Sequence, residues 1–234
     1  MKKWKVAIVG AGYMALEHTK AFASLGNVEI AGICSRTVSR AEELAANFQT
    51  KAFGNIAEMY DQTKADIVIV AVSELSMLSV CVECFNYPWL CFLEKPVGID
   101  LREAEKILAA AEAKRARAFV ALNRRSYSST RQAIEKVQQH EGVRLISITD
   151  QQDMAAAREY GTPEKVVRNF MYANSIHLID YFSLFGRGDV VGVDSTLPWN
   201  PDSPGFVVST IHFSSGDVGV YQAVWDNLGR GRLL

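Results

Sequence analysis

Two textures in the chain predict an α/β, doubly wound parallel sheet in the first half, followed by an α+β domain with a largely antiparallel sheet. In the first half, short apolar runs alternate with amphipathic stretches, the pattern of repeated strand–helix crossovers. In the second, strands follow one another without helices between them. A third observation sets the starting point: Trp4 to Ala15, WKVAIVGAGYMA, reads as a buried strand, a glycine turn and a helix. Val6-Ala7-Ile8-Val9 is a continuous apolar run, as expected of a strand covered on both faces. Gly10, Gly12 and Ala15 fit G-x-G-x-x-A. In that pattern the first glycine makes the turn, the second lets backbone approach a pyrophosphate, and the small third residue lets helix and strand pack closely. The helix starting near Tyr13 and Met14 then directs its free N–H groups and positive dipole end at the phosphates. Gly10, Gly12, Tyr13 and Met14 are the expected dinucleotide contacts of a Rossmann turn.

The elements follow in order. The first helix covers about residues 12–25 and stops at Gly26-Asn27; Val28 to Cys34 is the second strand, Ser39 to Phe48 a helix, and Lys51 to Phe53 a short strand. Ala65 to Val72 is the clearest buried strand, followed by a helix to about Phe85 and a strand from Trp89 to Leu93. Leu101, Ala104, Ile107, Leu108 and Ala111 recur at helical spacing, so Asp100 to Lys114 is an amphipathic helix with Asp100 as N-cap. Ala118 to Leu122 closes this half as a strand. Beyond Asn123 a helix at Ser128–Gln139, a strand at Val143–Thr149 and a helix at Ala173–Phe185 precede strands at Val190–Val193, Phe206–Phe213 and Val218–Trp225. Ser214-Ser215-Gly216-Asp217 is the hairpin turn between the last two. The expected division is 1–123, a dinucleotide-binding Rossmann domain, and 124–234, an α+β substrate and oligomerisation domain.

Composition narrows the function classes. A chain of 234 residues with 49% hydrophobic content can bury a sizeable core, and 25 basic against 26 acidic residues leave a net charge of −1. No basic tract resembles a phosphate-backbone footprint, so nucleic acid is not an expected partner. Met1-Lys2-Lys3 leads straight into the first strand without an apolar leader segment, and no apolar run approaches the ~20 residues of a membrane span. A cytoplasmic location without membrane partners is expected. Cys34, Cys81, Cys84 and Cys91 all fall in buried-looking segments. The C-x-x-C pair lies inside a helix rather than at its start, and no second pair completes a zinc site, so no metal is expected.

In an open parallel sheet ligands bind beyond the carboxyl ends of the strands. Cys34-Ser35-Arg36-Thr37 ends the second strand without the acidic residue that grips an unphosphorylated ribose. Ser35 and Arg36 suit a 2′-phosphate, with a solvent-exposed loop arginine as the plainer reading. Val72 lies at the mouth of the buried strand before the loop Ser73-Glu74-Leu75-Ser76. After the strand ending at Leu93 comes Glu94-Lys95-Pro96-Val97-Gly98. Proline disfavours helical geometry in its predecessor, so Lys95 projects from the strand end, where a lysine can donate or accept a proton.

The order of G-x-G-x-x-A, S-R, E-K-P-x-G after the fifth strand, and H-L-I-D in the second half resembles the Gfo/Idh/MocA oxidoreductase family, from about Lys3 to the last residue. That resemblance implies NADP or NAD as cofactor, with NADP preferred from Arg36. It also implies Lys95 as the catalytic residue beside the nicotinamide, with Glu94 in the cofactor contact set. The family's D-x-x-x-H-x-x-D helix aligns on His177, the second expected catalytic residue; a satisfied core histidine is the alternative. Three departures stand out. Ala173 replaces the aspartate four before His177, although Asn174 lies on nearly the same helix face; the loop after Val72 lacks the usual proline–asparagine pair and histidine; and the chain stops at Leu234 where members continue for roughly another hundred residues. Asn123, Arg124 and Tyr127 follow the last parallel strand and are, with Asn174, expected substrate contacts or a solvated linker.

The expected activity is hydride transfer between nicotinamide and a secondary alcohol or carbonyl carbon of a sugar, cyclitol or related polyol. A non-catalytic NAD(P)-binding sensor or assembly protein on the same fold is the alternative. A homo-oligomer is expected, because a sheet lacking later strands leaves an apolar face or an unpaired edge open.

Overall fold

A computed structural model describes residues 2–200 and 205–225 of the chain. It divides into two compact units, Met1–Ala121 and Leu122–Leu234. Leu234, where the sequence reading sets the end against family length, lies outside the described residues.

The first unit runs β1 (Trp4–Val9), α1 (Tyr13–Ala23), β2 (Val28–Cys34), α2 (Val38–Asn47), β3 (Ala52–Phe53), α3 (Ile56–Thr63), β4 (Ile67–Val70), α4 (Met77–Cys84), β5 (Leu90–Leu93), α5 (Leu101–Lys114) and β6 (Arg117–Val120). The six strands are parallel in the order β3-β2-β1-β4-β5-β6, the doubly wound order whose switch point lies between β1 and β4. The continuous apolar run of β1 has a direct cause. Val6 and Ile8 enter one core with Ala15, Ala41 and Leu44, whereas Ala7 and Val9 enter the other with Met59, Cys81 and Trp89. A strand alternates its side chains between faces, so covering both faces requires apolar residues at every position.

Asp100 caps α5 as its spacing predicts, its Oδ1 accepting from the Glu103 backbone N–H at 2.9 Å. The helix α3 is an element the sequence reading missed. Its start carries a reciprocal cap: Asn55 Oδ1 accepts from the Glu58 N–H at 2.7 Å and Asn55 Nδ2 donates to the Glu58 carboxylate at 3.3 Å. Its inward residues Ile56, Met59 and Thr63 keep helical spacing. All four cysteines are free and buried, and burial pushes the thiols up, Cys34 to about 11 and Cys81 and Cys91 to about 12.

The second unit runs α6 (Ser128–Gln138), β7 (Leu145–Gln151), α7 (Met154–Glu159), α8 (Glu164–Val167), a π-helical turn (Met171–Ser175), α9 (Ile176–Phe185), β8 (Val190–Leu197), β9 (Phe206–Phe213) and β10 (Val218–Val224). The short helices α7 and α8 were not legible from periodicity. The sheet order is β7-β10-β9-β8, with β8–β9 and β9–β10 antiparallel and β7–β10 parallel. The sheet is therefore mixed. Three helices separate β7 from the closing meander, and that length of chain lets β7 return alongside β10 in the same direction. One face is covered, with Phe182 of α9 packed among Val207, Ile211, Tyr221 and Ala223. The edge strand β8 exposes Val190, Val191, Val193 and Leu197.

The β9–β10 turn is anchored by a buried charge. Asp217, fully enclosed at its side chain, accepts from Arg187 Nε at 2.8 Å and Nη2 at 2.6 Å and from the backbone N–H groups of Arg144 and Arg187 at 2.9 and 3.1 Å. The Arg187 hydrogen bonds hold its carboxyl far below the ordinary 3.8. A depressed folded value means that the stabilisation is fully present above the unfolded value and is lost as pH falls through it toward the folded one. Thermal melting of the parent chain should therefore fall below pH about 4. Asp217→Asn should melt lower at pH 7 and lose less on acidification; equal acid slopes for the two proteins would refute the assignment.

Candidate active site

The carboxyl ends of β1, β2 and β4 open onto a groove of about 740 Å³. The glycine turn forms one wall, with Gly12, Tyr13 and Met14 exposed along it. Its two glycines have different reasons to be there. Gly10 has φ +122°, and a Cβ on it would lie 2.0 Å from the Ala71 carbonyl oxygen, so the fold itself excludes a side chain. Gly12 has an ordinary extended backbone (φ −95°, ψ −172°), and a Cβ there would meet nothing within 4 Å. What requires the second glycine is whatever occupies the groove.

The helix α1 fits that requirement. Gly12 is its N-cap, supplies no side-chain hydrogen bond, and no acidic residue sits in the first turn. Its leading N–H groups and positive dipole end are thus left for an anion. Ser35, Arg36 and Thr37 line the groove beyond β2, and Val72 and Ser73 line it beyond β4. The Ser35 hydroxyl accepts from the Thr37 N–H at 3.2 Å, tightening the bend after β2. Arg40, one helical turn beyond Arg36, lines the same groove. The sequence reading omitted it, although the spacing in Ser35-Arg36-Thr37-Val38-Ser39-Arg40 signals it. A second groove of about 660 Å³, lined by Lys3, Glu29 and Lys51, lies by the amino ends of β1 to β3, away from the switch point.

Lys95 stands at the carboxyl end of β5. The Glu94 N–H donates to the Val70 carbonyl at 2.9 Å, which prolongs the β4–β5 ladder up to it. The Lys95–Pro96 peptide bond is cis, and Lys95 is half-buried. Gly98 turns the chain onto α5 with φ +86°, and a Cβ there would lie 2.7 Å from Glu103 Cβ. Glu94 differs from expectation. Its buried carboxylate lies 2.5 Å from His18 Nε2 on α1, outside the residues lining the groove. The His18 ring meets Phe92 edge-on at 5.2 Å. His18, which the sequence reading left without a role, thereby joins α1 to the strand that presents Lys95.

In the second unit Asn123, Arg124 and Arg125 form a 3-10 turn to Ser126, with Asn123 and Tyr127 exposed and Arg124 half-buried. Arg125 donates from Nε to Asp180 Oδ2 at 2.7 Å and from Nη2 to Asp180 Oδ1, tying that turn to α9. The aspartate of H-L-I-D is therefore engaged within its own unit. His177 is buried in the first turn of α9, directly after the π turn. A π turn holds more residues than an α turn, so α-helical counting does not carry over from residues 171–175 to His177. Asn174 faces Gln152, its Nδ2 donating to Gln152 Oε1 at 2.6 Å. Among the described residues, no group of three or more His, Cys, Asp or Glu is placed to hold a metal, and no helix is long and apolar enough to cross a membrane.

A doubly wound sheet with an uncapped glycine turn at its switch point defines a dinucleotide-binding domain. Residues 4–122 match the family described as "Oxidoreductase family, NAD-binding Rossmann fold", GFO_IDH_MocA, and the chain belongs to that family. It is 29% identical over 124 residues to glucose-6-phosphate 3-dehydrogenase of Bacillus subtilis, covering 53% of this chain and 35% of that protein. It is 22% identical over 109 residues to inositol 2-dehydrogenase of Salmonella typhimurium, covering 45% and 32%. The matched segments thus span about a third of these relatives. In fold it is similar to the WlbA dehydrogenase of Bordetella pertussis, solved with NADH and UDP-GlcNAcA (TM-score 0.82, 16% identity, 99% of this chain and 69% of that one). A dehydrogenase from Chromobacterium violaceum is similar as well (TM-score 0.80, 23% identity, 95% and 66%).

Proposed function

We propose that the chain is an oxidoreductase, preferring NADPH, that moves a hydride between nicotinamide and a secondary alcohol or carbonyl carbon of a sugar, cyclitol or related polyol. The chief support is Lys95, held at the carboxyl end of β5 in the sheet whose β1 ends in the uncapped glycine turn. The dinucleotide supplies the hydride chemistry when bound. The backbone of Gly10 to Met14 holds the pyrophosphate, Ser35, Arg36 and Arg40 receive the 2′-phosphate, and Val72 packs at the groove's mouth. Lys95 exchanges the proton on the reacting oxygen, and His177 orients that oxygen. Asn123, Arg124, Tyr127 and Asn174 bind the hydroxyls of the polyol. The names of the relatives, a sugar-phosphate dehydrogenase and an inositol dehydrogenase, fit that substrate class. The free buried thiols fit a reducing, cytoplasmic compartment, and the apolar edge β8 fits self-association.

Ala173, where the family pattern has aspartate, favours a second reading as a cofactor-binding protein without turnover. Oxidation of glucose 6-phosphate, myo-inositol and a panel of aldoses with NADP and NAD separates the two. Turnover of any panel member supports the enzyme, and tight NADPH binding with no turnover across the panel supports the binding protein.

Cofactor choice has its own test. NADPH should bind more tightly than NADH by roughly tenfold or more, and Arg36→Ala with Arg40→Ala should bring the two affinities together. Equal affinities in the parent chain would sink the 2′-phosphate assignment.

A further inference from the structure

A line of hydrogen bonds in the second unit begins at a buried charge. Asp150, on β7, is 1% exposed, and as a carboxylate it only accepts. Its Oδ2 accepts from the Tyr221 hydroxyl at 2.8 Å. Burial pushes that hydroxyl far up, and the adjoining carboxylate adds to the shift, so Tyr221 stays a donor. Asp150 Oδ1 accepts from Gln152 Nε2 at 2.7 Å. The Gln152 backbone is itself pinned, its N–H donating to the Val224 carbonyl at 2.9 Å. With its nitrogen committed to Asp150, Gln152 turns its oxygen outward, where it accepts from Asn174 Nδ2 at 2.6 Å.

An amide's oxygen and nitrogen are nearly the same shape, so their order has to be set by neighbours. Here one carboxylate sets both. Turning Gln152 over would press its oxygen against Asp150, two acceptors face to face in a site with little water. Turning Asn174 over would do the same against Gln152. With one Nδ2–H given to Gln152, the side on which Asn174 presents its Oδ1 acceptor is therefore fixed, beside one remaining N–H. The π turn holds Asn174 in this position, one residue out of step with α-helical winding.

We infer that Asp150 and Gln152 determine specificity by fixing the amide order of Asn174, so that its Oδ1 stands where it accepts from a ligand hydroxyl. The inference rests on the proposed role of the start of α9 in substrate binding. Asp150 and Gln152 act as positioning residues, and Asn174 makes the contact.

Melting of the full chain tests the amide order without any ligand. Asn174→Asp sets a carboxylate against Gln152 Oε1, and Gln152 cannot turn because Asp150 holds it; the midpoint should fall by roughly 2–4 °C or more. Asp150→Asn alone should also cost stability. Together they should recover most of the loss, because Asn at 150 donates to a turned Gln152, which then donates to Asp at 174. A control, Asn174→Leu, should cost the same in either background. Additive losses for the Asp150 and Asn174 pair would overturn the inference.

Saturation-transfer NMR with NADPH present, using myo-inositol and glucose 6-phosphate as probes, tests the contact. Asn174→Leu should weaken the bound probe by roughly tenfold. Unchanged binding in Asn174→Leu overturns the acceptor role even if the melting cycle shows rescue. Binding of neither probe to the parent chain rejects the polyol substrate and with it the hydroxyl contact, while the melting cycle still decides the amide order.

Discussion

Lys95→Met should leave NADPH affinity within a few-fold of the parent and lower turnover by about 10²–10⁴, the usual contribution of a positioned acid or base. The two effects separate because the lysine stands at the end of β5, while the proposed pyrophosphate seat is built from β1, its turn and α1. Methionine keeps most of the apolar stem and removes the ammonium group, so the half-buried position stays filled. His177→Ala should cost less and should raise KM as well as lower kcat, because it removes orientation rather than the proton carrier. The measurement is steady-state kinetics on whichever sugar or polyol the parent turns over, beside fluorescence titration with NADPH. Full activity in Lys95→Met would reject the mechanism.

The glycine turn gives the second large effect, and its two glycines should fail in opposite ways. Gly12→Asp places a good N-cap on α1 at a backbone geometry that suits it, with its charge toward the positive helix end. Its melting temperature should match or exceed the parent's, while NADPH affinity falls on the order of 100-fold or more, since the new carboxylate takes the amides and repels the phosphate. Gly10→Ala should instead unsettle the fold by about 3 kcal/mol, from a backbone conformation alanine avoids and a collision with the Ala71 carbonyl. Calorimetry of the two variants beside cofactor titration checks the division. A destabilised Gly12→Asp that still binds NADPH normally would contradict it.

What was legible in the sequence was whatever is written in consecutive residues. The run Val6 to Val9, the turn at Gly10 and Gly12, the cap at Asp100 and the turn at Ser214 to Asp217 each specify themselves within a few positions. The missing pieces depend on partners distant in the chain or on irregular winding. Asn55 and Glu58 announce α3 by their spacing, but its eight residues lie between two strands and carry too few turns for apolar periodicity to stand out. The parallel pairing of β7 with β10 depends on three intervening helices, which strand patterns alone do not show. Asn174 lies in a π turn, whose winding α-helical counting does not anticipate. Glu94 reads as a cofactor contact from its motif, yet its carboxylate is engaged by His18.

That last contact has a consequence for how the domain tolerates change. His18 and Glu94 lie 76 positions apart and join α1 directly to the end of β5. The spacing between the glycine turn and Lys95 is therefore set across the sheet by this clasp and the β1–β4–β5 ladders, and not by the intervening length of chain. Arg36 and Arg40 sit in a loop and helix outside the clasp, on the far side of β1. The loop and helix that carry Arg36 and Arg40, proposed to discriminate between dinucleotides, can thus lengthen, shorten or change charge while the end of β5 that carries Lys95 keeps its register. On the proposed function, cofactor preference and catalytic geometry are separable modules of one sheet.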